Sequence, residues 1–441
     1  VAVGVIVLAL LYACGTPPPR SVVLIVIDTL RADHLGLYGY DRKTSPVIDA
    51  WAEHAAVFER AMSTSPWTLP SFGSILSGRL PAAHGAGRRV PGKGWRRAAL
   101  RDDLPTLAEK LRDRGLATAA IVNNPFLRPR FGLARGFDSY DYKAHRNAAE
   151  VVDLALSWIA EQGERPYFLF AQFMDPHLPY RPPAAARGRF ADEGHAPMPP
   201  LKRIRRRIAD ITPADRQLYQ DLYDEEIAYL DAALAPLFAT LENDLQAGRL
   251  LVVITADHGE EFFDHGGFEH GHTMYQELLH VPLLVRGPEV EALRHDEPVS
   301  VVDLMPTLLD ALGAAGAAAD GGAGIGREDT AGRSLGPVLN GRPHPRDRRL
   351  IAESMLYGKP QEAIIDWPLK LIDRYRLGSH TLFDLSVDPG ETTDLATERP
   401  AAADRLLAIL EERRRTIERS AGAAVPLDDA TRDELESLGY L

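Results

Sequence analysis

Four stretches of this chain hold almost nothing but apolar residues, many of them β-branched. They are Ser21–Asp28 (SVVLIVID), Ala117–Val122, Tyr167–Phe173 and Leu250–Thr255. A continuous apolar run predicts a strand buried on both faces, as in a parallel sheet; a strand with one wet face would alternate. Between these runs, apolar spacing predicts helices over Leu104–Asp113, Ala149–Gln162 and Arg216–Leu241. Strands that alternate with helices imply an α/β fold, here a large central, mostly parallel sheet sandwiched by helices. From about Arg349 the pattern changes. Strand-like Ala363–Ile365 and Leu369–Ile372 precede a helix near Ala401–Glu418. This predicts a larger unit over residues 21–345 and a smaller C-terminal α+β subdomain over 346–441.

Residues 1–14 (VAVGVIVLALLYAC) are apolar but too short to span a bilayer. They read as the apolar region of an export signal. Leu11-Tyr12-Ala13-Cys14 resembles a lipobox in which Cys14 would carry a lipid, with Gly15–Arg20 as a tether. The expectation is export to a bacterial cell envelope, with a lipid anchor on the periplasmic side of a membrane. The basic run Lys202–Arg207 lies in a Pro-rich insertion and reads as a solvated excursion or a contact for anionic material. Gly313–Gly326 reads as a surface loop.

Composition narrows the classes. Of 441 residues, 45% are apolar and 25% charged, which excludes a disordered or polytopic membrane chain. The charge sum is 50 − 62 = −12, so a duplex nucleic-acid partner is not expected. Cys14 is the single cysteine, which excludes intrachain disulfides and Cys-rich metal sites. Any metal must use Asp, Glu, His, Thr or backbone oxygen.

Three segments carry candidate chemistry. In Ser65–Pro81 (SPWTLPSFGSILSGRLP), Pro70 and Gly78 bracket a helix and place Thr68 just before its N-terminus. There it is either a helix cap or a hydroxyl beside a natural anion site. In Thr255–Pro288, Asp257 and His258 follow a buried strand, and His265, His270 and His272 follow in a Gly-rich loop. Adjacent Asp and His can give one oxygen and one nitrogen to a metal ion. Of the loop histidines, His272 is the stronger functional candidate, with His265 and His270 read as structural. In Phe173–Tyr180 (FMDPHLPY), His177 sits between two prolines after a strand, as a candidate general acid or anion contact.

These residues resemble a family. Asp28-Thr29-Leu30-Arg31-Ala32-Asp33-His34-Leu35-Gly36 is similar to the opening motif of sulfatases and their alkaline phosphatase superfamily relatives. Thr68-Leu69-Pro70-Ser71, then Leu76-Ser77-Gly78-Arg79, resembles the sulfatase nucleophile signature. Asp175-Pro176-His177, Thr255-Ala256-Asp257-His258-Gly259, Val281-Pro282-Leu283 and Asp388-Pro389-Gly390-Glu391 occur in the family's order. The resemblance spans about residues 20–415. It implies the alkaline-phosphatase-like fold and one divalent metal held by Asp28, Thr68, Asp257 and His258. It also implies catalytic roles for Thr68, His177 and His272, His272 standing near the position of the family's usual Lys. Substrate contacts are expected from Arg31 and from Asn123 or Asn124.

The departures from the family carry their own chemistry. Sulfatases oxidise Cys or Ser to formylglycine, whereas the Cβ of Thr68 bears a methyl group and cannot become that aldehyde. Phe72 replaces the signature Arg, and Thr29 replaces a second metal acid. A plain Thr nucleophile is typical of the phosphate-handling relatives. The expected activity is therefore metal-dependent hydrolysis or transfer of phosphate, phosphonate or sulfate esters. The alternatives are a sulfuric-ester hydrolase without formylglycine and a non-catalytic anion-binding lipoprotein. The nitrogen of His258 favours Mn²⁺ or Zn²⁺, with Ca²⁺ the family's other option. The expected partner is an anionic ester of a glycan, a lipid head group or a small molecule, with membrane contact through the lipid anchor.

Overall fold

The computed structural model describes residues 21–91, 96–192, 194, 204–205, 208–313, 332–342, 348–417, 422–438 and 440. The Cys14 lipidation site, the tether, most of the basic run and most of the Gly313–Gly326 loop lie outside the described residues. None of the described helices is long and apolar enough to cross a membrane.

The four apolar runs are adjacent strands. Ser21–Ile27 lies between Tyr167–Phe173 and Leu250–Thr255 and pairs parallel with both. Ala117–Val122 continues the sheet beyond Tyr167–Phe173, also in parallel. The full order across eight strands is Arg294–His295, Ala56–Phe58, Leu283–Arg286, Leu250–Thr255, Ser21–Ile27, Tyr167–Phe173, Ala117–Val122 and Ser139–Tyr142. Leu283–Arg286 alone runs antiparallel to its neighbours. Val22 through Ile27 have no exposed surface, as the unbroken apolar run requires. Each such side chain stabilises the fold by roughly 1.5–3 kcal/mol relative to exposure.

Two helical groups cover the sheet. Pro213–Gln246 packs with Ala148–Gln162 and Pro46–Ala52, and Thr68–Ser77 packs with Leu107–Arg112 and Leu304–Ala311. Thr212 and Asp215 form a capping box that starts the long helix. Asn147 and Glu150 do the same for Ala148–Gln162.

A second sheet begins at Leu350. Its four antiparallel strands are Leu350–Ala352, Glu362–Asp366, Leu369–Arg374 and Ser379–Asp384. Helix Pro400–Thr416 buries Ala403, Leu406 and Leu410 against one face. The expected 346–441 unit is nonetheless split. Ala424–Pro426 pairs with Arg96–Ala98, and Val425, Leu435, Leu438 and Tyr440 join the core of the larger unit.

Candidate active site

Ligand sites in a doubly covered parallel sheet lie off the carboxyl ends of its strands. Here Asp28 follows Ile27, Asn123 and Asn124 follow Val122, His177 lies four residues beyond Phe173, and Asp257 lies two beyond Thr255. Parallel register brings these ends together although they are far apart in sequence.

Asp28, Asp257 and His258 are fully buried, and one ligand atom from each lies within 4.8 Å of the others. His258 Nε2 is 3.5 Å from Asp28 Oδ1 and 3.3 Å from Asp257 Oδ2. The His258 Nδ1–H donates to the Gly259 carbonyl at 2.9 Å, which leaves the Nε2 lone pair facing the carboxylates. Burial, then the neighbouring His270, pushes this imidazole down to about 3, so it is neutral. Asp28 Oδ1 and both side-chain oxygens of Asp257 lack a hydrogen-bond partner. Burial, then the charge of Asp28, raises the Asp257 carboxyl well above the ordinary range. Orphaned buried carboxylate oxygens are costly. Two carboxylates and a neutral imidazole with a free lone pair are a donor set that fits a divalent cation.

Thr68 is the first residue of helix Thr68–Ser77, which Gly78 ends in the left-handed conformation at φ 62°. Trp67 takes the capping position and the Thr68 hydroxyl makes no cap bond. That hydroxyl instead lies 3.4 Å from His258 Nε2, 3.4 Å from Asn124 Nδ2 and 3.2 Å from the Tyr440 hydroxyl. The Thr68 hydroxyl is thus no helix cap, and the positive end of the helix dipole lies beside His258 of the cluster. Ser63 and Ser71 both donate to the Asp257 carbonyl, fixing that loop against the helix.

His177 Nδ1–H donates to the Leu178 carbonyl at 2.5 Å, and Nε2 accepts from the Tyr440 hydroxyl at 2.7 Å. Thr29 adopts φ 51°, unfavourable for a β-branched residue. Its hydroxyl donates to the Pro176 carbonyl at 3.0 Å, tying the loop that carries His177 to the one that carries Asp28. Thr29 therefore braces loops and adds no oxygen to the cluster.

Three expected residues are placed otherwise. His272 Nε2 is held 2.8 Å from Glu261 Oε2, and that carboxylate, acting against burial, raises it. His270 lies beside the cluster. Its ring lies 4.5 Å from that of His258 and 5.1 Å from that of His177, with Nδ1 held 2.9 Å from Glu260 Oε1. Positive φ values at Glu269 and Gly271 turn this loop so that His270 faces inward. Asn123 also turns away, its amide donating to the Gln172 carbonyl at 3.1 Å. Asn124 points in and donates to Asp28 Oδ2 at 2.7 Å. Arg31 is engaged elsewhere: its guanidinium pairs with Asp33 at 2.7 Å and Asp264 at 3.0 Å and donates to the Glu260 carbonyl. Among the described residues, no hydrogen bond or ion pair links it to Thr68 or the carboxylate cluster.

The sequence reading did not include Tyr440. The available signal was a group of apolar residues, Leu435, Leu438, Tyr440 and Leu441, closing a tail rich in Asp and Glu. Tyr440 also lines a cleft of about 940 Å³. The cleft wall carries Arg88, Arg89, Arg96, Arg97, Lys359 and Arg376. Its acids Glu353 and Glu362 are paired with Arg413 and Arg414, which lie outside the lining. The cleft is therefore basic in a chain that is acidic overall.

Comparison with known proteins completes the description. The model of the family described as Sulfatase matches residues 20–314. The choline-sulfatase of Rhizobium meliloti (strain 1021) is 25% identical over 87% of this chain and 84% of its own. Arylsulfatase K of Xenopus laevis is 24% identical over 87% of this chain and 80% of its own. An enzyme solved with its substrate D-glucosamine-2-N,6-O-disulfate superimposes with TM-score 0.74 at 18% identity, covering 90% of this chain and 98% of that one. The phosphonate monoester hydrolase of Silicibacter pomeroyi superimposes with TM-score 0.69 at 21% identity, covering 90% and 96%.

Proposed function

The chain belongs to the sulfatase family and is an ester hydrolase of it, and from that premise we propose a metal-dependent enzyme in which Thr68 attacks phosphate, phosphonate or sulfate esters, in that order of preference. One observation carries the proposal. The Thr68 hydroxyl is free of capping duty at a helix N-terminus and lies 3.4 Å from His258 Nε2, beside three carboxylate oxygens that lack partners.

Asp28, Asp257, His258 and Thr68 would hold one divalent cation, which when bound lowers the pKa of a coordinated hydroxyl and offsets charge on ester oxygens. The imidazole supports Mn²⁺ or Zn²⁺ over Ca²⁺. The remaining steps belong to the chain. Thr68 Oγ1 attacks phosphorus or sulfur in line with the leaving oxygen. The backbone amides of Thr68 and Leu69 and the Asn124 amide face the charge that develops on the transferred group. His177 is set by its Nδ1–H bond to Leu178 so that the Nε2 lone pair faces the pocket, where it takes up the proton that Thr68 Oγ1 loses and passes it to the leaving oxygen. The product of this half is an ester on Thr68, and attack by water on its phosphorus or sulfur returns the threonine. His270, oriented by Glu260, contacts an anionic oxygen of the substrate.

The threonine supports the preference for phosphorus, since no formylglycine can form there. The superposition with a phosphonate monoester hydrolase is consistent with that preference. We further propose that the protein acts in the cell envelope, anchored through Cys14. Loss of palmitate labelling in Cys14→Ala is the expected result, and labelling that persists would refute the anchor.

The test is turnover of an aryl phosphodiester, phosphonate, phosphomonoester and sulfate by Mn²⁺-loaded protein and by Thr68→Ala. Phosphodiester or phosphonate turnover should fall by about 10³-fold or more in the variant. A near-normal rate would exclude Thr68 as the nucleophile, and dominant sulfate turnover would reverse the order of substrates.

A further inference from the structure

The Tyr440 hydroxyl bridges Thr68 and His177, the two residues assigned to nucleophile and proton transfer. It is 3.2 Å from Thr68 Oγ1 and 2.7 Å from His177 Nε2. In-line attack brings the reacting atoms to roughly 3–3.5 Å before a bond forms. The phenol and the transferred group therefore exclude one another. Since His177 Nδ1 carries the hydrogen donated to Leu178, Nε2 accepts from the phenol, and the phenol's lone pairs remain for the Thr68 hydroxyl. Tyr440 satisfies both partners as a neutral substitute for an oxyanion.

Tyr440 is also the partition between nucleophile and cleft. Thr68 has no exposed surface, whereas Tyr440 lines the basic cleft. The phenol ring packs against Phe126 at 4.8 Å and His177 at 5.4 Å. The ring touches Thr68 on one side and lines the cleft on the other, so its departure would open a path from the cleft to Thr68.

The segment that delivers the ring is short, with Val425, Leu435 and Leu438 packed into the core of the larger unit. After pairing at Ala424–Pro426 it forms helix Asp429–Ser437, nine residues of which Thr431 and Leu435 are buried. So short a helix is marginal alone. Its ties to the larger unit include Glu434 to Arg128 at 2.6 Å, Glu434 to the Tyr142 hydroxyl, and the Tyr357 hydroxyl to the Tyr440 carbonyl at 3.0 Å. The Arg128–Glu434 pair is partly exposed, and such pairs contribute little. Elements that open are drawn from units that can detach without unfolding the rest, and a single short strand and helix form such a unit.

We propose that strand Ala424–Pro426, helix Asp429–Ser437 and Tyr440 form a displaceable gate, in which Tyr440 keeps the pocket shut until an oxyanion entering from the basic cleft takes over its contacts with Thr68 and His177. The gate rests on the reading of Thr68 and His177 as the anion-handling pair. Its consequence is that affinity for small anions is reduced by the fraction of molecules that are open.

The experiment uses the full chain and inorganic phosphate. Phosphate affinity is measured by calorimetry for wild type, Tyr440→Ala and Tyr440→Phe, and hydrogen exchange over residues 424–438 is followed with and without phosphate. Tyr440→Ala should bind about tenfold tighter or more, as expected when a tenth or less of the wild type is open. Tyr440→Phe keeps the ring packing and loses both hydrogen bonds, so it should fall between. Phosphate should speed exchange in the wild-type helix. Unchanged or weaker binding in both variants, no binding to any form, or unaltered exchange each overturns the gate. Neither readout needs turnover. An inactive Thr68 pathway with a responsive gate would therefore sink the proposed reaction alone, and turnover without a response would sink the gate alone.

Discussion

Glu260 Oε1 lies 2.9 Å from His270 Nδ1, and both side chains are buried beside His258 and His177. Glu260 also accepts the Tyr180 hydroxyl at 3.2 Å, so the pair is fixed from two sides. A histidine oriented by a carboxylate within an anion pocket contributes most when charge develops on the substrate. His270→Ala should therefore lower kcat/KM by about 10²-fold. The Nε2 of His272 is engaged by Glu261, and His272→Ala should change kcat/KM by no more than about threefold, as for a substitution that touches neither substrate nor nucleophile. Steady-state kinetics on the aryl phosphonate compares the two directly. The reverse ranking would restore the sequence-based assignment.

The carboxylate cluster predicts opposite effects on the apo and metal-loaded protein. Without an ion, Asp28 and Asp257 face each other with orphaned oxygens, so Asp257→Asn should raise the melting temperature of chelator-treated protein. With Mn²⁺ at 100 times Kd, wild type should gain about 2.7 kcal/mol and the variant almost none. Thermal melts with EDTA and with Mn²⁺, alongside elemental analysis, read both effects. A variant that still takes up one ion per chain would remove Asp257 from the donor set.

Much of this site was legible because its members lie at strand ends and a helix start. The run Ser21–Asp28 announces both a buried strand and the acid that follows it, and Pro70 and Gly78 bound the helix that begins at Thr68. The misassigned residues share a physical cause. Asn123 and Asn124 are consecutive at the end of an extended strand, where neighbours point to opposite sides, so spacing cannot choose between them. His270 and His272 lie in a loop whose direction depends on the positive φ at Glu269 and Gly271. Arg31 is removed from the pocket by Asp264, more than two hundred residues away in sequence. Tyr440 meets Thr68 across 372 residues, with no local periodicity to announce it.

Asn124 should matter where Asn123 does not. Its amide nitrogen is 2.7 Å from Asp28 Oδ2 and 3.4 Å from Thr68 Oγ1, so it holds the acid and the nucleophile in one geometry. Asn124→Ala should lower kcat by about 10–10²-fold with a smaller change in KM, the pattern of a lost transition-state contact. Asn123→Ala breaks the tie to Gln172 and should act mainly on stability, by about 1 kcal/mol. Equal kinetic losses in the two variants would show that both act through the fold of this loop.

Stability should fall as the medium becomes alkaline, and Glu226 is one group that sets the slope. Burial, then the charge of Asp175, raises its carboxyl to about 9 from an ordinary 4.5, while burial raises Asp175 to about 7. Each folded-state value lies above the unfolded one. The protonated forms therefore favour folding fully below about pH 4, and that advantage is lost as pH rises through about 7 for Asp175 and about 9 for Glu226. Glu226 Oε1 accepts the Arg181 backbone N–H at 2.6 Å, a bond that the amide oxygen of glutamine can keep. Glu226→Gln should leave the melting temperature near pH 5 almost unchanged and flatten its decline between pH 5 and 9. Calorimetric melts of wild type and variant across that range, on chelator-treated protein so that metal affinity does not contribute, supply the comparison. Parallel declines would mean that Glu226 ionises in the folded protein as it does in the unfolded chain, and that other groups carry the alkaline loss.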